Sequence, residues 1–216
     1  MTLTLDRRAL LAALASTTAL TTVGGWIKPA RAQQVSTEEL MKPGPLGDEG
    51  EGDPNAPVTM VEYASATCGH CAHFHTETYP GLKEKYIDTG KVYFVFREFP
   101  LDVLAAAAFM VARCLPKEGY FDFVSLLFEK QSQWAFTDKP VDALFSMAKQ
   151  AGMTRADFDS CLSNQEMLDG IRWVQDRASK QFGVDSTPTF FVNGTMVKGA
   201  RSLAEFEDVF KPILGS

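Results

Sequence analysis

The residues of this sequence with the clearest chemistry are two cysteines two positions apart, in the motif Cys68-Gly69-His70-Cys71. The motif follows a strand-like run and opens a helix-like one, so Cys68 stands at a predicted helix N-terminus. Unpaired backbone N–H groups and the positive end of the helix dipole stabilise a thiolate at such a position. We therefore predict that Cys68 is a reactive thiolate at neutral pH. Cys71, one turn further along, is predicted to be the shielded resolving thiol of a thiol–disulfide exchange site.

The three histidines of the chain, His70, His73 and His75, lie within eight residues that include both cysteines. His70 shares a helical turn with Cys68 and is predicted to tune its thiolate, by donating a hydrogen bond or by carrying a positive charge. A second hypothesis is a metal site, because Cys68, Cys71 and His75 share one helix face and suit zinc or copper. No other Cys or His lies close in sequence to complete a closed zinc site. A plain disulfide staple is the third hypothesis, although this spacing closes almost no loop.

The composition of the chain limits the classes of function that remain. Its 216 residues are 45% hydrophobic and 22% charged, which is typical of a globular protein with one or two domains. The net charge is −6 at pH 7. Such an acidic chain does not present the basic surface that binds phosphate backbones, so nucleic acid is not an expected partner. No cofactor is expected either.

The first 32 residues are predicted to be an export signal that is removed near Ala32. A charged start is followed by a short apolar run and by alanines at the spacing of a peptidase site. Arg7 and Arg8 resemble the paired arginines of a twin-arginine signal, although Asp6 stands where that signal prefers Ser or Thr. An uncleaved N-terminal anchor is the alternative. The signal indicates export to the bacterial periplasm, an oxidising compartment that would receive all four cysteines.

The remaining chain alternates strand-like and helix-like segments. Residues 33–57 are a leader rich in Pro, Gly and acidic residues, in which Ser36 can cap a short helix. After the leader the order is β-α-β, a block of helices, and then α-β-β-α. The predicted limits are strands at 58–63, 91–96, 189–192 and 195–198, and helices at 68–87 (broken or kinked at Pro80), 104–114, 120–129, 141–151, 167–182 and 202–213. Asn193-Gly194 predicts a hairpin turn, and Ser202 with Glu205 predicts a capping box.

Two charged segments are predicted to have ordinary structural roles. The acidic residues Asp48, Glu49, Glu51 and Asp53 are expected to be a solvated part of the leader. The pair Arg97-Glu98, directly after the second strand, is expected at the surface or at a domain junction.

Over residues 53–214 the sequence resembles the DsbA-type family of thioredoxin-fold thiol:disulfide oxidoreductases. The resemblance rests on Val61-Glu62-Tyr63 leading into the cysteine motif, on the helical block after the second strand, and on the segment Thr187-Pro188-Thr189-Phe190-Phe191-Val192-Asn193-Gly194. It implies an α/β, thioredoxin-like fold with an inserted helical domain. The implied domains are a thioredoxin-like domain at 58–99 and 183–216 and the helical insertion at 100–182.

The resemblance also implies roles for residues outside the cysteine motif. Thr187-Pro188 would be joined by a cis peptide bond, and Thr187 would contact substrate beside the active-site sulfurs. Glu62 matches a buried acid near the resolving cysteine, which would accept the Cys71 proton through water. The alternative for Glu62 is an ordinary strand acid that is paired or exposed. Gly69 stands where the best-known oxidases of the family have Pro, and Thr187 where they often have Val, so the strength of oxidation is left open.

Cys114 and Cys161 are a second pair, 47 residues apart in the helical block. In an oxidising compartment a structural disulfide is expected. Closing a loop of that length stabilises the fold by roughly 4 kcal/mol in the chain-entropy model. Two buried free thiols are the alternative. Some members of the DsbA-type family are similar in carrying a second, non-catalytic disulfide.

Motif and resemblance together predict a monomeric periplasmic thiol:disulfide oxidoreductase. It would pass the Cys68–Cys71 disulfide to reduced or unfolded exported polypeptides through a mixed disulfide at Cys68. The resemblance implies a membrane oxidase of the DsbB type as the reoxidant. One alternative is a disulfide isomerase or reductase that uses the same residues. An alternative of another class is a zinc- or copper-binding protein that uses Cys68, Cys71 and His75.

Overall fold

The computed structural model describes residues 34–215 of the chain. The predicted export signal, residues 1–32, lies outside the described residues. Within the described range, no helix combines the length and the apolar character needed to cross a membrane.

A five-stranded mixed sheet forms the centre of the described residues. Its strands are β1 (Glu49–Glu51), β2 (Val58–Ala64), β3 (Val92–Glu98), β4 (Thr189–Val192) and β5 (Thr195–Lys198). They lie in the order β1-β3-β2-β4-β5, with β2 and β3 parallel and the other neighbours antiparallel. The four predicted strands are confirmed. The additional strand β1 lies in the leader, where its sequence Glu-Gly-Glu has no apolar alternation to indicate a strand.

Helices of the described residues flank this sheet. They are α1 (Thr37–Leu40), α2 (Gly69–His73), α3 (Tyr79–Leu82), α4 (Val103–Cys114), α5 (Tyr120–Glu129), α6 (Gln131–Trp134), α7 (Pro140–Gln150), α8 (Arg155–Leu162), α9 (Gln165–Phe182) and α10 (Leu203–Leu214). Helices α4 to α9 form the block between β3 and β4, which confirms the predicted α/β architecture with a helical insertion. The short helices α6 and α8 were not predicted, since each spans only one or two turns.

The helix that carries the cysteine motif continues through Pro80. A π-helical segment, Phe74–Thr78, joins α2 to α3, and a second one, Lys83–Ile87, follows. Pro80 lies in the first turn of α3, where a missing backbone N–H is tolerated. The predicted extent of this helix is therefore confirmed. The break or kink expected at Pro80 is replaced by two segments of wider, π-helical turns.

The two faces of β2 pack into different hydrophobic cores. Met60 and Ala64 belong to the large core that also contains the cysteine-bearing helix, whereas Val61 and Tyr63 face a smaller core beside α9. Because side chains alternate along a strand, Glu62 points to the same side as Met60 and Ala64. Strand alternation thus directs this carboxyl toward the helix that carries the cysteine motif.

Local sequence signals at three other points are matched by the structure. Ser36 caps α1, and Ser202 forms a capping box with the third residue of α10. Cys114, at the end of α4, and Cys161, in α8, are joined by a disulfide with Cα atoms 6.2 Å apart. This bond closes the helical insertion across a sequence separation of 47 residues.

The prediction that the acidic leader is simply solvated is wrong. Asp48 accepts hydrogen bonds from Nε and Nη2 of Arg97 at 2.9 and 2.8 Å. Nη1 of the same guanidinium donates to the Leu40 carbonyl at 2.7 Å and to the Tyr63 hydroxyl at 2.8 Å. Arg97 is only 3% exposed. It is therefore not a surface residue, because β3 runs on to residue 98 and places this side chain beneath the leader.

Two arginines of the helical block also bind the leader. Arg113 of α4 donates to Glu98 at 2.5 Å and to Glu49 at 3.3 Å. Arg177 of α9 donates to the Lys42 carbonyl at 2.6 Å and to the side chain of Glu39 at 2.9 Å. Glu98 is buried, and its contact with Arg113 joins the sheet to the helical block. Of the pair Arg97-Glu98, Glu98 therefore has the expected junction role.

The last two acidic residues of the leader differ in their surroundings. Glu51 accepts a hydrogen bond from the Tyr79 hydroxyl and lies 3.2 Å from the Lys83 ammonium. Asp53 is exposed. Of the four acids expected to be solvated, Asp53 alone follows the prediction, because the others lie where the leader pairs with β3 and its neighbours.

Candidate active site

Cys68 is the N-cap residue of α2, and its side chain is half-buried where the chain leaves β2 and enters the helix. Its Sγ lies 3.4 Å from the carbonyl oxygen of Thr187, to which it can donate only in its protonated form. Cys71 is fully buried one turn into α2, and both cysteines are free thiols. The structure therefore brings the cysteine motif together with the loop before β4, 119 residues away.

The environment of Cys68 favours its thiolate. Its pKa is lowered to about 5, and the largest cause is the hydrogen bond from the Cys71 thiol. Burial opposes this effect, while the Thr187 side chain and the backbone N–H groups of Cys71 and His70 lower the pKa further. In the dithiol form Thr187 Oγ1 is buried with no hydrogen-bond partner among the described residues, so its hydrogen is available to a thiolate. Cys68 is thus ionised at neutral pH.

Cys71 has the opposite character. Burial raises its pKa well above the ordinary thiol value, and the hydrogen bond to Cys68 and the charge of Glu62 raise it further. Cys71 is therefore a neutral thiol when reduced. The two sulfurs differ in both ionisation and access, which is the asymmetry that an attacking and a resolving cysteine need.

Because the folded protein lowers the Cys68 pKa, its stability in the reduced form should depend on pH. The ordinary value is near 9 and the folded value about 5, so the thiolate contributes stability that is full above pH 9 and is lost as the pH falls through 5. At pH 7 we expect a contribution of about 1 to 2 kcal/mol, discounted for the partial exposure of Cys68. Urea unfolding at pH 4, 5, 6, 7 and 8 measures it, with the oxidised protein, in which Cys68 does not titrate, as the control. Parallel pH curves for the two forms would contradict this expectation.

Two of the three histidines near the cysteines, His70 and His73, lie at the surface. His70 is exposed in the first turn of α2, and it lowers the Cys68 pKa through its backbone N–H. His73 is exposed too. The role predicted for the His70 imidazole remains a prediction.

Glu62 and His75 form a buried pair beside the cysteines. Glu62 is 0% exposed, and its Oε2 lies 2.9 Å from Nε2 of His75. His75 therefore turns toward Glu62, away from the arrangement expected for a metal ligand. Within the described part of the chain no group of three Cys, His, Asp or Glu side chains is placed to hold a metal ion.

The loop before β4 completes the site. The Thr187-Pro188 peptide bond is cis. Thr189 pairs with Tyr63 of β2 in the sheet, and its hydroxyl donates to the Ser186 carbonyl at 2.7 Å. The pairing holds the loop beside the end of β2, where the chain leads into Cys68.

Comparison with known proteins shows the family. A family model described as Thioredoxin matches residues 48–211. The chain belongs to the thioredoxin family. Among solved structures it is similar to α-DsbA1 of Wolbachia pipientis, with 34% sequence identity, a TM-score of 0.77, and coverage of 84% of this chain and 96% of that chain. It is a DsbA-type member of the thioredoxin family.

Two other proteins are similar to this DsbA-type chain. A protein-disulfide isomerase of Novosphingobium aromaticivorans is 25% identical, with a TM-score of 0.68 and coverage of 78% of this chain and 99% of that chain. A Rickettsia typhi protein, provisionally named a protein-disulfide oxidoreductase, is 31% identical over 148 residues. That match covers 68% of this chain and 55% of the relative, so the chain spans about half the length of the curated relatives it matches first.

One residue of the DsbA-type site comes from the helical insertion and has no signal in the sequence. Gln131 of α6 is buried, and its Nε2 donates to the carbonyl oxygens of Ala66 at 2.8 Å and of Cys68 at 3.1 Å. A glutamine in a helical stretch resembles any other polar residue until the fold brings it to its partners. Gln131 thus ties the insertion to the turn that presents Cys68.

Replacing Gln131 with leucine should lower the free energy of unfolding by about 1 to 3 kcal/mol, since it removes the donor to two carbonyl groups at the site. Gln133→Leu is the matched control, because Gln133 is exposed two residues further along the same stretch. Its effect should stay within about 0.5 kcal/mol. Urea unfolding of both reduced variants measures the difference, and equal losses would show that the Gln131 hydrogen bonds contribute nothing specific.

Proposed function

We propose that this protein is a periplasmic thiol:disulfide oxidoreductase that donates its Cys68–Cys71 disulfide to exported proteins. The observation that carries the proposal is the opposite ionisation of its two cysteines: Cys68 has a pKa of about 5, and the pKa of Cys71 is raised. Interactions that stabilise the thiolate stabilise the reduced form. A protein whose reduced form is stabilised has a more strongly oxidising disulfide.

The donation proceeds in two exchange steps. A substrate thiolate attacks Sγ of Cys68, because this sulfur is half-buried whereas Cys71 is fully buried. The bond between the two enzyme sulfurs breaks, its electron pair passes to Sγ of Cys71, and Cys71 takes up a proton. The second thiolate of the substrate then attacks the substrate sulfur of the mixed disulfide. Cys68 leaves readily as a thiolate because its pKa is about 5.

Thr187 and Pro188 are the proposed substrate contacts. The Thr187 carbonyl is 3.4 Å from Sγ of Cys68, so a polypeptide joined to this sulfur must pass along the same loop. An extended substrate segment can pair there through main-chain hydrogen bonds, which places little demand on its sequence. This arrangement favours a broad range of reduced or unfolded polypeptides as substrates.

The cellular setting is proposed from the family and from the N-terminal sequence. Membership of the DsbA-type family supports a membrane oxidase of the DsbB type as the reoxidant, with the protein working as a monomer. The paired arginines Arg7 and Arg8 and the alanines before residue 33 support export and cleavage near Ala32.

The proposal is tested with reduced, denatured ribonuclease A as the probe. The oxidised, purified protein should remove ribonuclease thiols in proportion to the amount added and should itself become reduced at Cys68 and Cys71. Alkylation followed by mass measurement follows both changes, with ribonuclease alone as the background. Ribonuclease thiols that disappear no faster than the background would overturn the proposed function.

Isomerase activity is the second candidate. Gly69-His70 in the motif and Thr187 before the cis proline are the features that favour it, and the Novosphingobium relative carries the name of a disulfide isomerase. Ribonuclease A with scrambled disulfides separates the two activities. An isomerase restores ribonuclease activity when added in its reduced form, whereas a dedicated oxidase does so poorly.

A further inference from the structure

The turn that presents Cys68 is fastened to the connection between β3 and α4, residues 99–102. Within the turn, the Cys68 N–H donates to the Ser65 carbonyl at 3.0 Å. The Leu101 N–H of the connection donates to Oγ of Ser65 at 3.2 Å. Ser65 is 0% exposed, and its backbone N–H opposes the rise in the pKa of Cys71. Ser65 is thus the point at which the connection meets the surroundings of both cysteines.

Thr67 and Asp102 form a second contact between the turn and the connection. Oγ1 of Thr67 donates to Oδ2 of Asp102 at 2.7 Å and lies 3.3 Å from Oγ of Ser65. The other carboxylate oxygen of Asp102, Oδ1, accepts from the Ala105 N–H at 2.8 Å, so Asp102 is also the N-cap residue of α4. One side chain therefore holds both the start of α4 and the residue directly before Cys68.

The orientation of Cys68 decides how strongly its thiolate is stabilised. The backbone N–H groups of Cys71 and His70 lower its pKa, and they act on the sulfur only while Cys68 keeps its place at the end of the helix. Cys68 is an N-cap residue in an extended conformation, with φ −84° and ψ 118°. The helix fixes such a residue on one side only. On the other side, the position of Cys68 depends on the residues that precede it.

We propose that Asp102 is a positioning residue that acts through the Thr67 hydroxyl to hold Cys68 where the helix N–H groups stabilise its thiolate. The inference rests on the proposed exchange at Cys68. No bond forms or breaks at Asp102 or Thr67. Because a stabilised thiolate stabilises the reduced form, the same contact makes the disulfide more strongly oxidising.

The test measures the Cys68 pKa of the reduced protein from the ultraviolet absorbance of its thiolate. Thr67→Val keeps the shape of the side chain and removes the hydroxyl. It should raise this pKa by about 0.5 to 1 pH unit, a partial effect because Gln131 still holds the Ala66 and Cys68 carbonyls. At pH 7 the equilibrium constant for reduction of the disulfide by glutathione should fall by the same factor, about three- to tenfold. Thr67→Ser retains the hydroxyl and should keep the wild-type values.

Asp102→Ser is a second, independent variant. Serine caps α4 as well as aspartate does, but it offers one oxygen in place of two. The Cys68 pKa should rise again. Loss of a nearby negative charge would by itself lower this pKa, so a rise reports the lost contact. Cys71 and Glu62, the titratable groups that act on Cys68 from its own helix and from β2, are the same in every variant.

Thr154→Val is the matched control. The Thr154 hydroxyl donates to Oδ2 of Asp157 at 2.6 Å, so the same kind of contact is removed at α8. Thr154 caps that helix, and its loss should lower the stability to urea. The Cys68 pKa should nevertheless stay at the wild-type value, which separates positioning of Cys68 from a general loss of stability.

Two results would overturn the inference: a Cys68 pKa in Thr67→Val equal to that of wild type, or an equal rise in Thr154→Val. Should Thr67→Val not fold, Asp102→Ser decides, since an unchanged or lowered pKa would show that its carboxylate does not position Cys68. The titration uses no substrate. Ribonuclease oxidation by the wild-type protein therefore tests the proposed function separately, and the two failures are distinguishable.

Discussion

Replacing Cys71 with serine is expected to trap substrates on Cys68, and replacing Cys68 with serine to trap none. In the Cys71→Ser protein the thiolate of Cys68 attacks a substrate disulfide, and the resulting mixed disulfide has no second enzyme thiol to release it. In the Cys68→Ser protein the remaining sulfur is fully buried and its pKa is raised. At pH 7 its thiolate fraction is at least about a hundredfold below that of Cys68, and capture should fall by at least that factor.

Non-reducing electrophoresis and intact mass measurement follow the trapped species. After incubation with ribonuclease A, Cys71→Ser is expected to form covalent adducts that dithiothreitol reduces. The Cys68→Ser/Cys71→Ser protein is the control for reaction at sulfur atoms elsewhere in the chain. Cys114 and Cys161 are joined by a disulfide in this chain and are expected to contribute no thiol in the three variants. Capture by Cys68→Ser but not by Cys71→Ser would reverse the assignment of the two cysteines.

Replacing Arg97 with methionine should lower the free energy of unfolding by about 3 to 5 kcal/mol. The guanidinium donates to both oxygens of Asp48, to the Leu40 carbonyl and to the Tyr63 hydroxyl, and its side chain is 4% exposed. Methionine fills a similar volume but donates nothing. It leaves a carboxylate, with a side chain 14% exposed, without its partner.

Arg172→Met is the control for this prediction. Arg172 lies on α9 with 57% of its side chain exposed, at 3.9 Å from Asp169, and its loss should stay within about 0.5 kcal/mol. Adding Asp48→Leu to Arg97→Met should recover part of the stability, since it removes the unpaired, partly buried carboxylate. Urea unfolding at pH 7 gives all three values. Equal losses for Arg97→Met and Arg172→Met would mean that the leader is not held by the ion pair of Arg97 and Asp48.

Features governed by neighbouring residues could be predicted from the sequence. Ser202 is followed three residues later by Glu205, and the capping box forms as expected. Cys68 is placed at a helix start by the strand before it and the helix after it. In each case the signal and its outcome lie within about one turn of chain, so no knowledge of the fold is needed.

Partners chosen by packing could not be predicted in the same way. Gln131 meets Ala66 across 65 residues, and Arg97 meets Leu40 across 57. The metal hypothesis placed His75 with the cysteines because of helix spacing. In the structure His75 is instead hydrogen-bonded to Glu62 of the strand that packs against the helix. A charged or polar side chain has many admissible partners until the sheet order is known. Such choices therefore belong to the tertiary structure and not to a pattern in the sequence.

The separation between Cys68 and Thr187 along the chain has a consequence for how the protein folds as it is synthesised. Synthesis proceeds from the N-terminus, so the cysteine motif emerges 119 residues before the loop that completes its site. Until β4 has docked, Thr187 is not beside Cys68 and one of the contacts that lower the Cys68 pKa is missing, so this pKa lies above its folded value of about 5. Cys68 therefore reaches its full reactivity only as the chain finishes folding. We expect this delay to limit exchange of Cys68 with Cys114 and Cys161 before their disulfide has formed.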